Sequence, residues 1–253
     1  MSRYVALGSS MAAGPGIRPR AQGSPMAAGR SARNYPHLVA QRLGLDLVDV
    51  TFSGATTAHV LSESQSGVPP QISALDGTER LVTITIGGND VGYVPMLLAA
   101  GLPRVVRSVP VLGAAIRGQV DRTARSAALE QVGTALEAVG TAVRERSPRA
   151  SVLFVDYLTL LPPEGTPAPP LSDIDAATGR FVAAELQRRT AEAAAVTGAG
   201  LVCAAEASRD HHAWSADPWT TRFGVPVPWR PAPLHPNATG MRAVADLVVA
   251  TVS

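Results

Sequence analysis

Four short blocks in this chain carry side chains or backbone groups able to act on a carbonyl. Ser10 follows an apolar run, Tyr4-Val5-Ala6-Leu7, through a Gly8-Ser9 turn. A serine at a strand-to-helix turn stands beside the first N–H groups of a helix, where the dipole favours developing negative charge. It needs a base within hydrogen-bond reach, and His235, in Leu234-His235-Pro236-Asn237, supplies an imidazole on a loop. Gly54, after Ser53, offers a backbone N–H with no Cβ in a substrate's way. Asn89, in Gly87-Gly88-Asn89-Asp90, offers a side-chain N–H. With the N–H of Ser10, these make three donors for an oxyanion. That is the chemistry of acyl transfer. Taken singly, each block is an ordinary turn or cap, so the reading rests on their combination.

The elements that must position these groups follow from short apolar runs alternating with helical patterns, the mark of a parallel α/β sheet. Tyr4–Leu7, Leu45–Phe52, Leu81–Ile86, Ser151–Val155 and Gly200–Ala204 read as five strands. Helices are expected over Tyr35–Leu43 (capped by Asn34), Arg122–Arg146, Asp175–Thr197, and from Asn237 or Thr239 to Val252. The Pro-rich stretches between them read as insertions, so residues 1–253 are expected to form one three-layer α/β/α domain. In open parallel sheets ligands gather beyond the carboxyl ends of the strands. The Ser10, Gly54 and Asn89 turns fall there, and His235 opens the last helix.

These blocks, in this order and spacing, resemble the SGNH or GDSL-type esterase and lipase family, whose signature residues are Ser, Gly, Asn and His. The match runs from Val5-Ala6-Leu7-Gly8-Ser9-Ser10 through Phe52-Ser53-Gly54-Ala55-Thr56-Thr57 and Gly87-Gly88-Asn89-Asp90 to Leu234-His235-Pro236-Asn237. The Ser-Gly-Ala-Thr-Thr run and Asp217-Pro218-Trp219 are most similar to the actinobacterial branch. The resemblance implies a flavodoxin-like fold and a serine ester hydrolase, with an acyl-enzyme on Ser10, His235 as base, and an oxyanion hole from Ser10, Gly54 and Asn89. It implies no cofactor and no metal, and a small-molecule or lipid ester as substrate. A non-catalytic binding module on the same fold is the alternative from another class, and a carbohydrate deacetylase or acyltransferase the alternative among enzymes.

Two departures from the family pattern bear on mechanism. Ser9 stands where the family has Asp before the nucleophile, which concerns the rigidity of the turn. Ala232 stands three residues before the histidine, where relatives carry the Asp that orients the imidazole. The backbone carbonyl of Ala232 is the favoured substitute, making a Ser–His dyad; a displaced acid, Asp210 or Asp217, is the other.

Composition sets the outer bounds. The 22 basic residues are all arginine, which excludes a Schiff-base lysine and a Walker-type phosphate loop. Net charge is only +2 and the arginines are scattered along the sequence, so nucleic acid is not an expected partner. One cysteine, Cys203, allows no internal disulfide. No uncharged stretch reaches the ~18–20 residues of a membrane span, and Met1-Ser2-Arg3 does not open a signal peptide, so a cytoplasmic location is expected. Residues Val91–Gly118, broken by Pro95, Pro103 and Pro110, present Met96-Leu97-Leu98, Leu102, Val105-Val106 and Val109–Leu112. These either wall an acyl pocket or pack as core. Trp214, Trp219 and Trp229 precede His235 and are candidates for the opposite wall, Trp219 equally for the core. His37 and His59 read as surface or packing residues, and the adjacent pair His211-His212 as a poor metal site.

Overall fold

A computed structural model of the chain describes residues 2–103, 122–225, 227 and 230–252. Its centre is a five-stranded parallel sheet built from β1 (Arg3–Gly8), β2 (Asp46–Asp49), β3 (Glu79–Thr85), β4 (Ser151–Val155) and β5 (Gly200–Val202). The strand order is β2-β1-β3-β4-β5. In this flavodoxin-like order the chain reverses direction across the sheet beside β1, opening a crevice between the ends of β1 and β3.

Period-two patterning explains the two faces. In β1, Val5 and Leu7 join one apolar cluster and Tyr4 and Ala6 the other; in β4, Val152 and Phe154 alternate with Leu153 and Val155 in the same way. Both faces are buried, as the near-continuous hydrophobic strands require. On one face lie α5 (Arg122–Arg146) and α6 (Asp173–Val196), after α3 (Thr57–Leu61) and α4 (Tyr93–Ala100). The stripe Leu129, Val132, Leu136, Val139 and Val143 repeats at three and four residues, and this apolar face holds α5 on the sheet. On the other face α2 (Tyr35–Leu43) packs against α8 (Ala238–Val252), with Val39, Val244 and Val248 meeting Tyr4, Leu81 and Leu153. The single-turn helices α1 (Ser10–Ala13) and α7 (Ala204–Ala207) leave the ends of β1 and β5.

Caps fall where side-chain chemistry places them. Asn34 accepts from the N–H of His37 and starts α2, and Asn237 Oδ1 accepts from Thr239 and Gly240 at the head of α8. The second strand is shorter than its apolar run. Asp49 Oδ1 takes both the N–H and the hydroxyl of Thr51, so the chain turns locally where a longer ladder was expected. Among the described residues no helix is long and apolar enough to cross a membrane.

Candidate active site

Ser10 is the first residue of α1, and the strand end that delivers it is tightly held. Gly8 has φ 156°, and a Cβ there would lie 2.7 Å from the carbonyl oxygen of Thr85 on β3. The amide of buried Gln71 closes on the same glycine, accepting from its N–H at 2.7 Å and donating to its carbonyl at 3.0 Å. Ser9 donates its N–H to Thr85 O at 2.9 Å, so the serine turn is pinned to the neighbouring strand.

His235 reaches this serine from a sequence separation of 225 residues, with Nε2 2.8 Å from Ser10 Oγ. The other ring nitrogen, Nδ1, is 2.8 Å from the carbonyl oxygen of Pro233. A carbonyl only accepts, so Nδ1 carries the proton and Nε2 presents a lone pair to the serine hydroxyl. Burial lowers the imidazole's pKa, and the Pro233 hydrogen bond opposes that less strongly. The ring is therefore held neutral, the state a base requires.

The carbonyl that meets the imidazole is one residue away from the expected one. Ala232 lines the cleft, but its carbonyl accepts from the Thr221 hydroxyl and from the N–H of His235 itself. Leu234, buried, takes a left-handed φ of 58°, uncommon for a bulky residue, and this turn aims the Pro233 carbonyl at the ring. Thr221 brackets the turn: its N–H donates to His235 O at 2.8 Å, and its carbonyl accepts from Leu234 N at 3.3 Å. The candidate acids lie elsewhere. Asp217 is exposed and pairs with His211, which stacks on Trp219 at 4.2 Å, and Asp210 lines a separate cavity with Arg209.

Gly54 and Asn89 enter the same cleft of about 300 Å³ as Ser10 and His235. Gly54 has φ 80°, which favours glycine, and among the described residues neither its N–H nor that of Ser10 has an acceptor. Asn89 donates one Nδ2 hydrogen to Ala55 O at 2.8 Å, and among the described residues the second has no acceptor. Asp90 beside it accepts from the Thr57 N–H at 3.0 Å and from the Thr57 hydroxyl. These bonds tie the loop after β3 to the loop after β2 and fix the spacing of the two candidate oxyanion donors.

Tyr157, directly beyond β4, was not singled out from the sequence. Its hydroxyl is 3.0 Å from Ser9 Oγ and accepts from Gly88 N at 3.0 Å. Ser9 is thus tied through a phenol to the Asn89 loop. The ring also explains Gly88, where a Cβ would come within 2.2 Å of it. The signal available in the sequence was only the polar pair Asp156-Tyr157 at a strand end.

The apolar wall resolves into two parts. Val94, Pro95 and Leu98 line the cleft with Tyr93, whereas Met96 and Leu97 are core residues with 1% and 0% exposure. Val105-Val106, Val109–Leu112 and Trp229 lie outside the described residues. Trp214 donates to Pro169 O and packs near Phe223, away from the cleft. His37 and His59 bond to the caps Asn34 and Thr56, as packing residues do.

Residues 6–243 match the GDSL-like Lipase/Acylhydrolase family. The chain belongs to that family. It is a carboxylic ester hydrolase. Lipase 2 of Streptomyces coelicolor is 33% identical to it over 250 residues, covering 96% of this chain and 83% of the relative. The fold of this GDSL-family chain is shared by phospholipase A1 from Streptomyces albidoflavus, with TM-score 0.80 and 26% identity over 99% of this chain and 98% of that one. It is shared also by the extracellular lipase of Streptomyces rimosus, with TM-score 0.79 and 26% identity over 100% and 99% of the two chains.

Proposed function

We propose that this esterase works through a Ser10–His235 dyad. Ser10 Oγ attacks the ester carbonyl while His235 Nε2 takes its proton. The N–H groups of Ser10 and Gly54 and the free Nδ2 hydrogen of Asn89 receive the oxyanion. His235 then protonates the leaving alcohol, water attacks the acyl-enzyme with His235 again as base, and the acid departs. The neutral Pro233 carbonyl takes the orienting part that a carboxylate plays in a triad.

The observation that carries this reading is the 2.8 Å contact between Nε2 and Ser10 Oγ, with Nδ1 bonded to a carbonyl that fixes the tautomer. The relatives named as lipases and a phospholipase A1 favour acyl esters of lipids as substrates. Val94, Pro95 and Leu98 suit an acyl chain. In this reading the chain acts as one domain around its one sheet. Lone Cys203 leaves it independent of disulfides, consistent with a reducing cytosol.

A fluorophosphonate probe tests the dyad. Peptide mass mapping should find one adduct, on Ser10, and labelling should be lost in His235→Ala. Folded protein that takes no label at Ser10 would overturn the proposal.

A further inference from the structure

The arginines that look scattered in sequence converge beside the cleft. Arg18, Arg20, Arg30 and Arg230 line one cavity of about 570 Å³ together with Pro15 and exposed Met26, and among the described residues no carboxylate lines it. Arg20 donates to Ser24 O and Arg30 Nε to Thr51 O, which holds those two in place. Arg18 and Arg230 are exposed, and among the described residues their guanidinium groups have no ion-pair or hydrogen-bond partner. Asp49 acts on Arg30 through its charge, without a direct ion pair between them, and its oxygens accept from Asn34 and Thr51. Burial lowers the Arg30 pKa from its usual value. Four guanidinium groups around one open space concentrate positive charge there, and their planar forks suit phosphate.

The cavity is built on the two loops that carry the dyad. Pro15, just beyond α1, lines both this cavity and the cleft. A Cβ on Gly16 would lie 2.1 Å from the carbonyl oxygen of Arg230, and Ala232 N donates to Pro15 O at 3.3 Å. Arg230 thus sits against the segment following Ser10 and five residues before His235. His235 must protonate the leaving oxygen, so the alcohol part of an ester lies on the histidine side of the cleft.

We infer that Arg18, Arg20, Arg30 and Arg230 form a phosphate subsite for the alcohol portion of the substrate, making this enzyme selective for acyl esters that bear a phosphate. This rests on the dyad reading, since that reading fixes which side the alcohol takes. The phosphate is the shared feature of a lipid headgroup and of a soluble phosphorylated ester.

The test compares kcat/KM for monomeric dibutyryl phosphatidic acid with that for dibutyrylglycerol, which has the same esters and no phosphate. A parallel arm uses vesicles of dioleoyl phosphatidic acid against dioleoylglycerol. Wild type should favour the phosphate-bearing ester by at least about tenfold in monomeric solution, as one or two charge-assisted hydrogen bonds imply. In Arg18→Gln/Arg230→Gln that ratio should fall toward unity, mainly through KM. No preference in wild type, a ratio unchanged in the double variant, or a preference confined to vesicles would overturn the subsite, the last assigning the arginines to attraction by a charged surface. If neither ester is cleaved and Ser10 takes no fluorophosphonate label, the dyad itself is what fails.

Discussion

The Pro233 carbonyl and the His235 ring are joined by a 2.8 Å hydrogen bond at Nδ1, while the ring's other nitrogen is 2.8 Å from Ser10 Oγ. A neutral acceptor thus occupies the position where a carboxylate would stand in a triad. It fixes tautomer and orientation but lends the imidazolium less charge stabilisation than an acid would.

If the carbonyl does the orienting, no acid nearby should matter to turnover. Asp210→Asn and Asp217→Asn are expected to keep kcat within about tenfold of wild type, against the ~10⁴-fold that loss of the triad Asp costs a serine protease of another fold. Steady-state kinetics on a p-nitrophenyl ester, with circular dichroism to confirm folding, checks this. A thousandfold loss in either variant would mean that an acid reaches His235 in the working enzyme.

The pH profile should carry the mark of a buried base. Desolvation holds the His235 pKa below the ordinary 6.5, so the ring stays neutral and active above that lowered value and is protonated only as pH falls through it. The acid limb of kcat/KM is therefore expected below about pH 6.5, the free-imidazole value. A limb at or above that pH would contradict the geometry.

Tyr157 joins the Ser10 turn to the Asn89 loop, so Tyr157→Phe should unfasten both without opening a cavity. Leaving Gly88 N–H unpaired is expected to cost about 1–3 kcal/mol of stability. A fall in kcat larger than the rise in KM is the signature of displaced oxyanion donors rather than weaker binding. Denaturant titration and kinetics on the same preparation separate the two effects; unchanged kcat would leave Tyr157 a purely structural strut.

Asp156, next to Tyr157, gives a stability prediction. Burial pushes its carboxyl up to about 6, and while Oδ1 accepts from Ala205 N, Oδ2 has no partner among the described residues. A raised folded-state pKa means the folded form holds the extra proton between the unfolded value of 3.8 and about 6. Stability therefore falls as pH rises through that window and stays lower above it. Asp156→Asn keeps the acceptor and removes the charge, so it should raise Tm by a few degrees near pH 8, for a penalty of order 2 kcal/mol. The gain should shrink toward about pH 4, where wild type is itself protonated. A variant less stable than wild type at both pH values would contradict this.

The sheet was legible because alternation and β-branched runs are local, and Asn34 and Asn237 announce their helices in the same local way. Ser10, Gly54, Asn89 and His235 were legible because each sits at a strand or helix end that the topology gathers on one rim. The Pro233 carbonyl was not, since its aim depends on a left-handed Leu234, a conformation that leucine's type argues against. Tyr157 and Gln71 act through contacts across 148 and 63 residues, which follow only once β3 lies between β1 and β4. The arginine cavity was hidden for the same reason: residues 18, 20, 30 and 230 share no spacing, and only the packing of Gly16 on Arg230 brings them together.

If Ser10 performs the acyl transfer, hydrolysis of p-nitrophenyl butyrate depends on it, and comparing wild type with Ser10→Ala at equal folded concentration reads that dependence. The dyad predicts a loss in kcat of at least about a thousandfold, since removing a serine nucleophile elsewhere costs up to ~10⁶. Rates within a few-fold of each other would contradict it and place the chemistry on another residue.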